Sequence, residues 1–298
     1  MKVAVVAHAA KSLDGGLPEL RRTLAREGCD TPLWYEVPKA KKAPEQARNA
    51  LEEGADLVFA WGGDGTVRRC IGELAGSDVR LAVIPAGTAN LLATNLGIPK
   101  DIERAVSIGL GGRRRRYDVG RFAGERFAVM AGVGFDAAMI RGADDLKERL
   151  GRAAYVWSGS RNLRAPAFDA EIEVDGAEWF DGRTTCILMG NVGSLFGGLE
   201  VFPDAEPDDG RLELGVVTAD SIVQWTRTIA RAVTGDPARS PFVRATKAKA
   251  VRVALDRKVR YELDGGDRSK VKAFRVEVEP GALQLCVPHS TDRGSDEE

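Results

Sequence analysis

Short runs of consecutive apolar residues alternate with amphipathic stretches through the first third of the chain. Residues 2–7 read as a strand, and 17–27 as a helix with Leu17, Leu20, Leu24 and Ala25 separated by Arg and Glu, the spacing of one helical face. A second strand near 32–37 precedes a helical stretch over 44–53. Residues 56–61 form a fully apolar strand once Asp56 is passed, closed by Gly62, Gly63, Asp64, Gly65 and Thr66, and a helix resumes over 67–74. The next strand, 81–84, is broken by Pro85, Ala86 and Gly87, with Thr88 placed to cap a helix over 89–96. A further helix with an acidic first turn spans 101–110. Alternation of this kind predicts a parallel sheet covered by crossover helices, a three-layer α/β domain over residues 1–120.

After Gly111 and Gly112 strand-like runs outnumber helices. Candidates are 127–131, 168–174, 184–189, 212–217, 249–255, 259–263 and 273–278, interrupted by helical insertions at 147–163 and 221–234. Mainly antiparallel, sandwich-like β structure is expected over 121–282. Residues 283–287 are placed to return to the first domain as a strand, so that 283–298 completes it, and the polar run after them is expected to fray.

Composition narrows the classes. At 298 residues, 44% hydrophobic and 29% charged, the chain can bury a core without metal or disulfide, which excludes long disorder and a disulfide scaffold. A formal net charge of -1 argues against nucleic-acid binding through overall charge, so an anionic partner needs a local patch. Cys29, Cys70, Cys186 and Cys286 form no CxxC pair, and reduced, buried thiols fit a cytoplasmic protein. His8 and His289 are the only histidines, too few for a His-rich metal site, and neither adjoins a GxSxG elbow. The opening apolar run is too short for a signal segment. Residues 81–99 lack charge, but Pro85, Gly87, Asn90, Asn95 and Gly97 make them a poor membrane span. Any membrane contact is expected to be peripheral, at the inner surface.

Gly62-Gly63-Asp64-Gly65-Thr66 stands where a buried strand ends and a helix begins. Glycines let the backbone approach a ligand, and the amides of a helix start favour phosphate oxygens. No GKS or GKT follows, so this is not a Walker loop, and an ordinary glycine turn is the bland alternative. One strand later Pro85-Ala86-Gly87-Thr88-Ala89-Asn90 repeats the logic, which brings two helix starts to one sheet edge.

Together these residues resemble the diacylglycerol-kinase catalytic family, the soluble bacterial lipid kinases related to sphingosine kinases. Gly132-Val133-Gly134-Phe135-Asp136-Ala137, Pro203-Asp204-Ala205 and Asp208-Asp209-Gly210-Arg211-Leu212 extend the likeness over most of the chain. GGDGT alone also occurs in NAD kinases and phosphofructokinases. The resemblance implies an α/β nucleotide domain joined to a β-rich domain, with ATP and lipid meeting in a cleft. It implies transfer of the ATP γ-phosphate to a lipid hydroxyl, with Mg²⁺ on the phosphates. Diacylglycerol, giving phosphatidic acid, is the first acceptor to consider. By the same resemblance, Gly62, Gly63, Asp64, Gly65 and Thr66 would cradle the phosphates, and Asp64 would act on Mg²⁺ and its water shell. Thr88 and Asn90 would contact the nucleotide, and Asp136 would support that network. Asp209, with the backbone carbonyls of Glu206 and Arg211, resembles a separate structural Mg²⁺ site, against which stands a plain acidic surface turn.

Three positions depart from the family pattern. His8, Ala9 and Ala10 replace an Asn-Pro motif after the first strand, and Leu91 replaces an Asp after Asn90. The family's general base is a Glu in a DGE turn, where this chain reads Asp264, Gly265, Gly266, Asp267. Asp267 is expected to stand in for that Glu, with Asp264 the second choice. The competing readings are a nucleotide- or lipid-binding protein without turnover, and an NAD kinase-like phosphotransferase. Residues 141–164 mix Arg and Lys with Leu, Tyr and Trp and are a candidate lipid entrance, or else a solvated basic face. The run Arg113 to Arg116 reads as a solvated edge, and the glycines of 191–198 as a mobile segment or a tight turn. The sequence sets no oligomeric state, and a homodimer is compatible with it.

Overall fold

The structure, a computed structural model, describes residues 1–134, 167–195, 199–221, 224–225, 227–228, 231 and 240–289. The chain divides into two compact units, Met1–Val119 together with the stretch from Pro280, and Gly120–Glu279.

The first unit contains β1 (Val3–His8), α1 (Gly16–Arg26), β2 (Leu33–Val37), α2 (Ala43–Glu52), β3 (Leu57–Gly62), α3 (Asp64–Leu74), β4 (Arg80–Pro85), α4 (Leu91–Leu96), α5 (Ile102–Gly111) and the start of β5 (Arg113–Phe122). The end of the closing strand, β16 (Gly266–Val287), also belongs to it. Its strands run parallel in the order β2-β1-β3-β4-β16, with Val6 opposite Tyr35 and Ala60, Ala60 opposite Val83, and Leu285 opposite Leu81. β3 and β4 are buried at every position, the condition of parallel strands covered on both faces. Helix α1 packs on α5, and α2 on α3. Right-handed crossovers put α1 on the face opposite α2 and α3.

Strand order matters for the site. From β1 the chain turns to β2 on one side, and from β3 it turns to β4 on the other. The crevice beyond the carboxyl ends of β1 and β3 is therefore a topological switch point, where open α/β sheets take ligands.

The second unit adds β6 (Glu125–Phe127), β7 (Met130–Val133), β8 (Phe168–Val174), β9 (Ala177–Thr184), β10 (Cys186–Gly190), β11 (Ser194–Leu195), β12 (Leu199–Glu200), β13 (Leu212–Val217), β14 (Val243–Ala248) and β15 (Ala250–Leu263). Its pairing is antiparallel in the order β14-β13-β10-β7-β15-β16, with β8 on β15 and β9 on β8. β15 serves two partners, pairing β8 through Val251–Leu255 and β7 through Tyr261–Leu263, with register shifts between the two stretches. Such bulges bend a strand and let its halves face different neighbours. The apolar centre is aromatic, with the Phe122 ring stacked 4.5 Å from both Tyr261 and Phe274.

Four local expectations change. The helix expected over 89–96 begins at Leu91, and the strands expected at 249–255 and 259–263 are one bulged strand. Arg113–Arg116 open β5 instead of flanking a strand. β9 and β14 carry no apolar alternation because each is an edge strand with one neighbour, so little of it is buried. The helical stretch expected at 147–163 lies outside the described residues.

Candidate active site

Two parallel strands, β1 and β3, end at the switch point, and β4 ends beside it. After β1 the amide of Ala10 donates to Nδ1 of His8 at 3.2 Å, the short reach an Asn side chain makes in an Asx turn. The Trp61 indole of β3 donates to the Lys11 carbonyl at 3.1 Å and ties this loop to its neighbour. His8 thus closes its own turn after β1.

After β3, helix α3 starts at Asp64 with Gly63 as its N-cap and no side-chain cap. A Ser or Asp there would bring its own oxygen to the first-turn amides. Glycine brings none, which suits a ligand anion. Thr66 is buried, and its amide donates to the Gly63 carbonyl at 2.9 Å.

After β4, the amide of Gly87 donates to Oδ1 of Asn90 at 2.9 Å, and Nδ2 of Asn90 donates to the Gly87 carbonyl at 2.8 Å. Asn90 holds a left-handed conformation, φ 50, and is buried. It is therefore a clasp for its own turn. The start of α4 is capped from the neighbouring loop: Asp64 accepts from the amides of Asn90 at 3.0 Å and Leu91 at 2.6 Å, one on each carboxylate oxygen. Thr88, expected as the cap, is exposed, and its carbonyl accepts from Lys100 Nζ at 2.9 Å.

The two turns touch through backbone. A Cβ placed on Gly87 would lie 2.4 Å from the Gly63 Cα, closer than real atoms come. Gly87 therefore requires glycine, while a Cβ on Gly63 would stand a tight 3.2 Å from the Gly87 Cα. The structure brings together Gly62, Gly63, Asp64, Gly65, Thr66, Thr88 and Asn90 at one edge, while Asp136 lies outside the described residues.

The Asp264-Gly265 pair is the two-residue loop of the β15–β16 hairpin, with Leu263 opposite Gly266. Both loop residues have positive φ, 46 and 73, the type I′ turn that Asp-Gly favours. The Asp264 side chain is turned inward and 4% exposed. It accepts from the amides of Ala128 at 3.0 Å, Val129 at 2.8 Å and Met130 at 2.9 Å. Asp267 is exposed on β16, beside Arg268, whose guanidinium holds Glu125 in a bidentate pair at 2.9 and 3.0 Å.

Asp209 accepts from the Arg211 amide at 2.9 Å on Oδ1 and from Lys247 Nζ at 2.8 Å on Oδ2. The Glu206 carbonyl receives the Asp209 amide at 3.5 Å. Among the described residues no group of three His, Cys, Asp or Glu side chains is arranged to hold a metal ion.

Known proteins match both units. The diacylglycerol kinase catalytic domain matches residues 8–122, and the YegS C-terminal NAD kinase beta sandwich-like domain matches residues 129–287. The chain is 32% identical over 231 residues to a diacylglycerol kinase of Bacillus subtilis, across 76% of each. It is 30% identical over 253 residues to one of Staphylococcus saprophyticus, across 84% of this chain and 82% of the other. This chain belongs to the diacylglycerol kinase family. A diacylglycerol kinase crystal structure from Bacillus anthracis aligns over 97% of this chain and 98% of that one with TM-score 0.77 at 22% identity, a likeness of fold.

Membership of the diacylglycerol kinase family supports a lipid kinase, a phosphotransferase. Among the described residues no helix is long and apolar enough to cross a membrane. The basic stretch 141–164 and the glycines at 197 and 198 lie outside the described residues.

Several working residues carried no local sequence signal. Lys247 meets Asp209 from 38 residues away, and Asn191 donates to the Ala128 carbonyl at 3.2 Å across a separation of 63. Asp118 is buried and accepts from the Gly281 amide at 2.6 Å. Glu262 is 1% exposed although its neighbours in the alternation, Arg260 and Asp264, predict a solvent-facing position. Its charge, after the larger effect of burial, helps push the Cys186 thiol well above its ordinary value.

Proposed function

We propose that this protein transfers the γ-phosphate of ATP to the free hydroxyl of diacylglycerol, giving phosphatidic acid, with Mg²⁺ accompanying the nucleotide. One observation carries the reading: the glycine turns after β3 and β4 meet backbone to backbone beside the switch point and are locked by Asp64. Two turns free of side-chain bulk at one sheet edge suit a chain of phosphates. The residues fit that ligand. Gly62 to Thr66 would hold the phosphate oxygens, Thr88 and Asn90 would meet the nucleotide, and Asp136 would support them.

Asp64 suits an indirect role toward Mg²⁺. Its oxygens accept the amides of Asn90 and Leu91, so the carboxylate stands beside both turns, where it would meet a water of the metal's shell. When bound, the ion neutralises charge on the phosphate oxygens. Asp64 holds α4 against α3, which fixes the turns on either side of the phosphates.

In the transfer the lipid oxygen bonds to the γ-phosphorus, the bond from that phosphorus to its bridging oxygen breaks, and ADP leaves. The hydroxyl proton goes to a carboxylate. We assign that role to Asp267, which is exposed, in preference to Asp264, whose oxygens already hold three amides. The lipid is taken from the cytoplasmic surface of a membrane.

ADP release with diacylglycerol, sphingosine, ceramide and NAD as acceptors tests the reading. Diacylglycerol-dependent release with phosphatidic acid as product is expected, and Asp267→Ala is expected to slow it by about 10²-fold or more with ATP binding retained. Release with NAD alone would make the protein an NAD kinase. ATP binding without turnover on any lipid would make it a binding protein, the outcome that Gly266 at the usual Glu position favours.

A further inference from the structure

The turn that resembles the family's structural Mg²⁺ site already holds a cation. Glu213 of β13 stands directly opposite Lys247 of β14, and the ammonium reaches back over the turn. Its partners are Asp209 Oδ2 at 2.8 Å, the Asp204 carbonyl at 3.1 Å and Glu213 Oε1 at 3.3 Å. The ammonium donates to the first two, and Glu213 Oε1 faces it at ion-pair distance without a hydrogen bond. These are nitrogen-to-oxygen distances, well beyond the ~2.1 Å that Mg²⁺ requires. The other oxygen of Asp209 is taken by the Arg211 amide at 2.9 Å, and the Glu206 carbonyl faces the Asp209 amide. The residues of this turn do not fit a divalent ion while Lys247 is in place.

We propose that the Lys247 ammonium is the resident cation of the 204–213 turn, built into the chain in place of a divalent ion. The charges around it agree. The hydrogen bond it donates to Asp209, with the charge of Glu213, holds the Lys247 ammonium above the usual lysine range. Burial pushes Glu213 upward, with the Asp209 and Asp204 charges adding to it and Lys247 opposing it. Two carboxylates, Asp209 and Glu213, and the Asp204 carbonyl thus converge on one nitrogen. Removing that nitrogen leaves an acidic, oxygen-lined turn that a divalent ion can enter, as oxygen-rich sites do.

Thermal unfolding without nucleotide tests this, in chelator and in millimolar Mg²⁺ or Ca²⁺ at matched ionic strength. The parent protein is expected to melt at one temperature in all three. Lys247→Met is expected to melt several degrees lower in chelator, at about 2–4 °C for each kcal/mol lost, and to recover with Ca²⁺ or Mg²⁺. Adding Asp209→Asn to it is expected to abolish the recovery. Saturable stabilisation of the parent by either ion, lost in Asp209→Asn, overturns the proposal. So does a Lys247→Met protein that ignores both ions, since the lysine would then be a simple ion pair. If Lys247→Met does not fold, the parent and Asp209→Asn measurements decide alone. No turnover is required, so the outcome is independent of the kinase reading.

Discussion

Asp64-Gly65 in one unit and Asp264-Gly265 in the other are the same dipeptide with different remainders. Asp64 opens a helix, is half-buried, and spends one amide on each oxygen. Asp264 closes a hairpin, is buried, and carries three amides on two oxygens. Both carboxylates organise backbone, but Asp64 stands between the two glycine turns at a ligand-facing sheet edge and Asp264 anchors the start of β7. Place in the fold and depth of burial separate a positioning residue from a structural one. Residue type does not.

The largest effect should come from separating those roles by substitution. Asp264→Ala removes the partner of three buried amides and should lower the unfolding free energy by about 3–5 kcal/mol. Asp64→Ala removes a helix cap and should cost about 1 kcal/mol. Its kcat with diacylglycerol should fall by about 10²-fold or more, because the two phosphate-side turns are no longer locked. Denaturant titration and initial rates on both proteins check this. Equal losses of stability in the two variants would erase the distinction.

A smaller effect probes the close packing of the second turn. Gly87→Ala forces Gly63 and Gly87 apart and presses on Asn90 Oδ1, so ATP affinity should fall about tenfold or more, or about 1.4 kcal/mol. Gly72→Ala, in the same helix as Asp64 but with nothing within 4 Å of a new Cβ, should leave affinity unchanged. Calorimetric titration with ATP distinguishes the two. Unchanged affinity in Gly87→Ala would mean that the phosphates do not use this edge.

The same contrast explains what was legible in the sequence. The parallel strands could be read because burial on both faces makes them continuous apolar runs, and the turns because glycine marks a backbone demand. β9 and β14 could not, since an edge strand with polar faces leaves no period. The four arginines at the head of β5 obscured a strand whose buried half begins only at Tyr117. At the site, residue identities were legible but their partners were not. Thr88 looked like a cap because capping is usually local, yet α4 is capped by Asp64, 26 residues earlier. Asp264 and Lys247 find their partners through strand pairing, which no short-range pattern encodes.

The finest comparison uses one buried thiol from each unit. Cys70 lies in α3 and Cys186 in β10, next to the strand that Asp264 anchors. Burial pushes the Cys70 thiol up to about 12, with Glu73 adding to it, and Cys186 is raised for the same reason. Folded, both stay protonated. An unfolded thiol ionises near 9.0, so this contribution to stability is complete below that pH and is lost as pH climbs toward the folded value. Half a unit above 9.0 the loss should be about 0.8 kcal/mol per thiol. Cys70→Ala and Cys186→Ala should each flatten the alkaline fall in stability by that amount, apart from the constant cost of the deleted sulfur. If the units unfold together, either substitution flattens the one transition seen. If they unfold separately, Cys70→Ala flattens only the transition that Asp64→Ala also moves, and Cys186→Ala only the one that Asp264→Ala moves. A pH slope untouched by both substitutions would show that neither thiol is shielded in the folded chain.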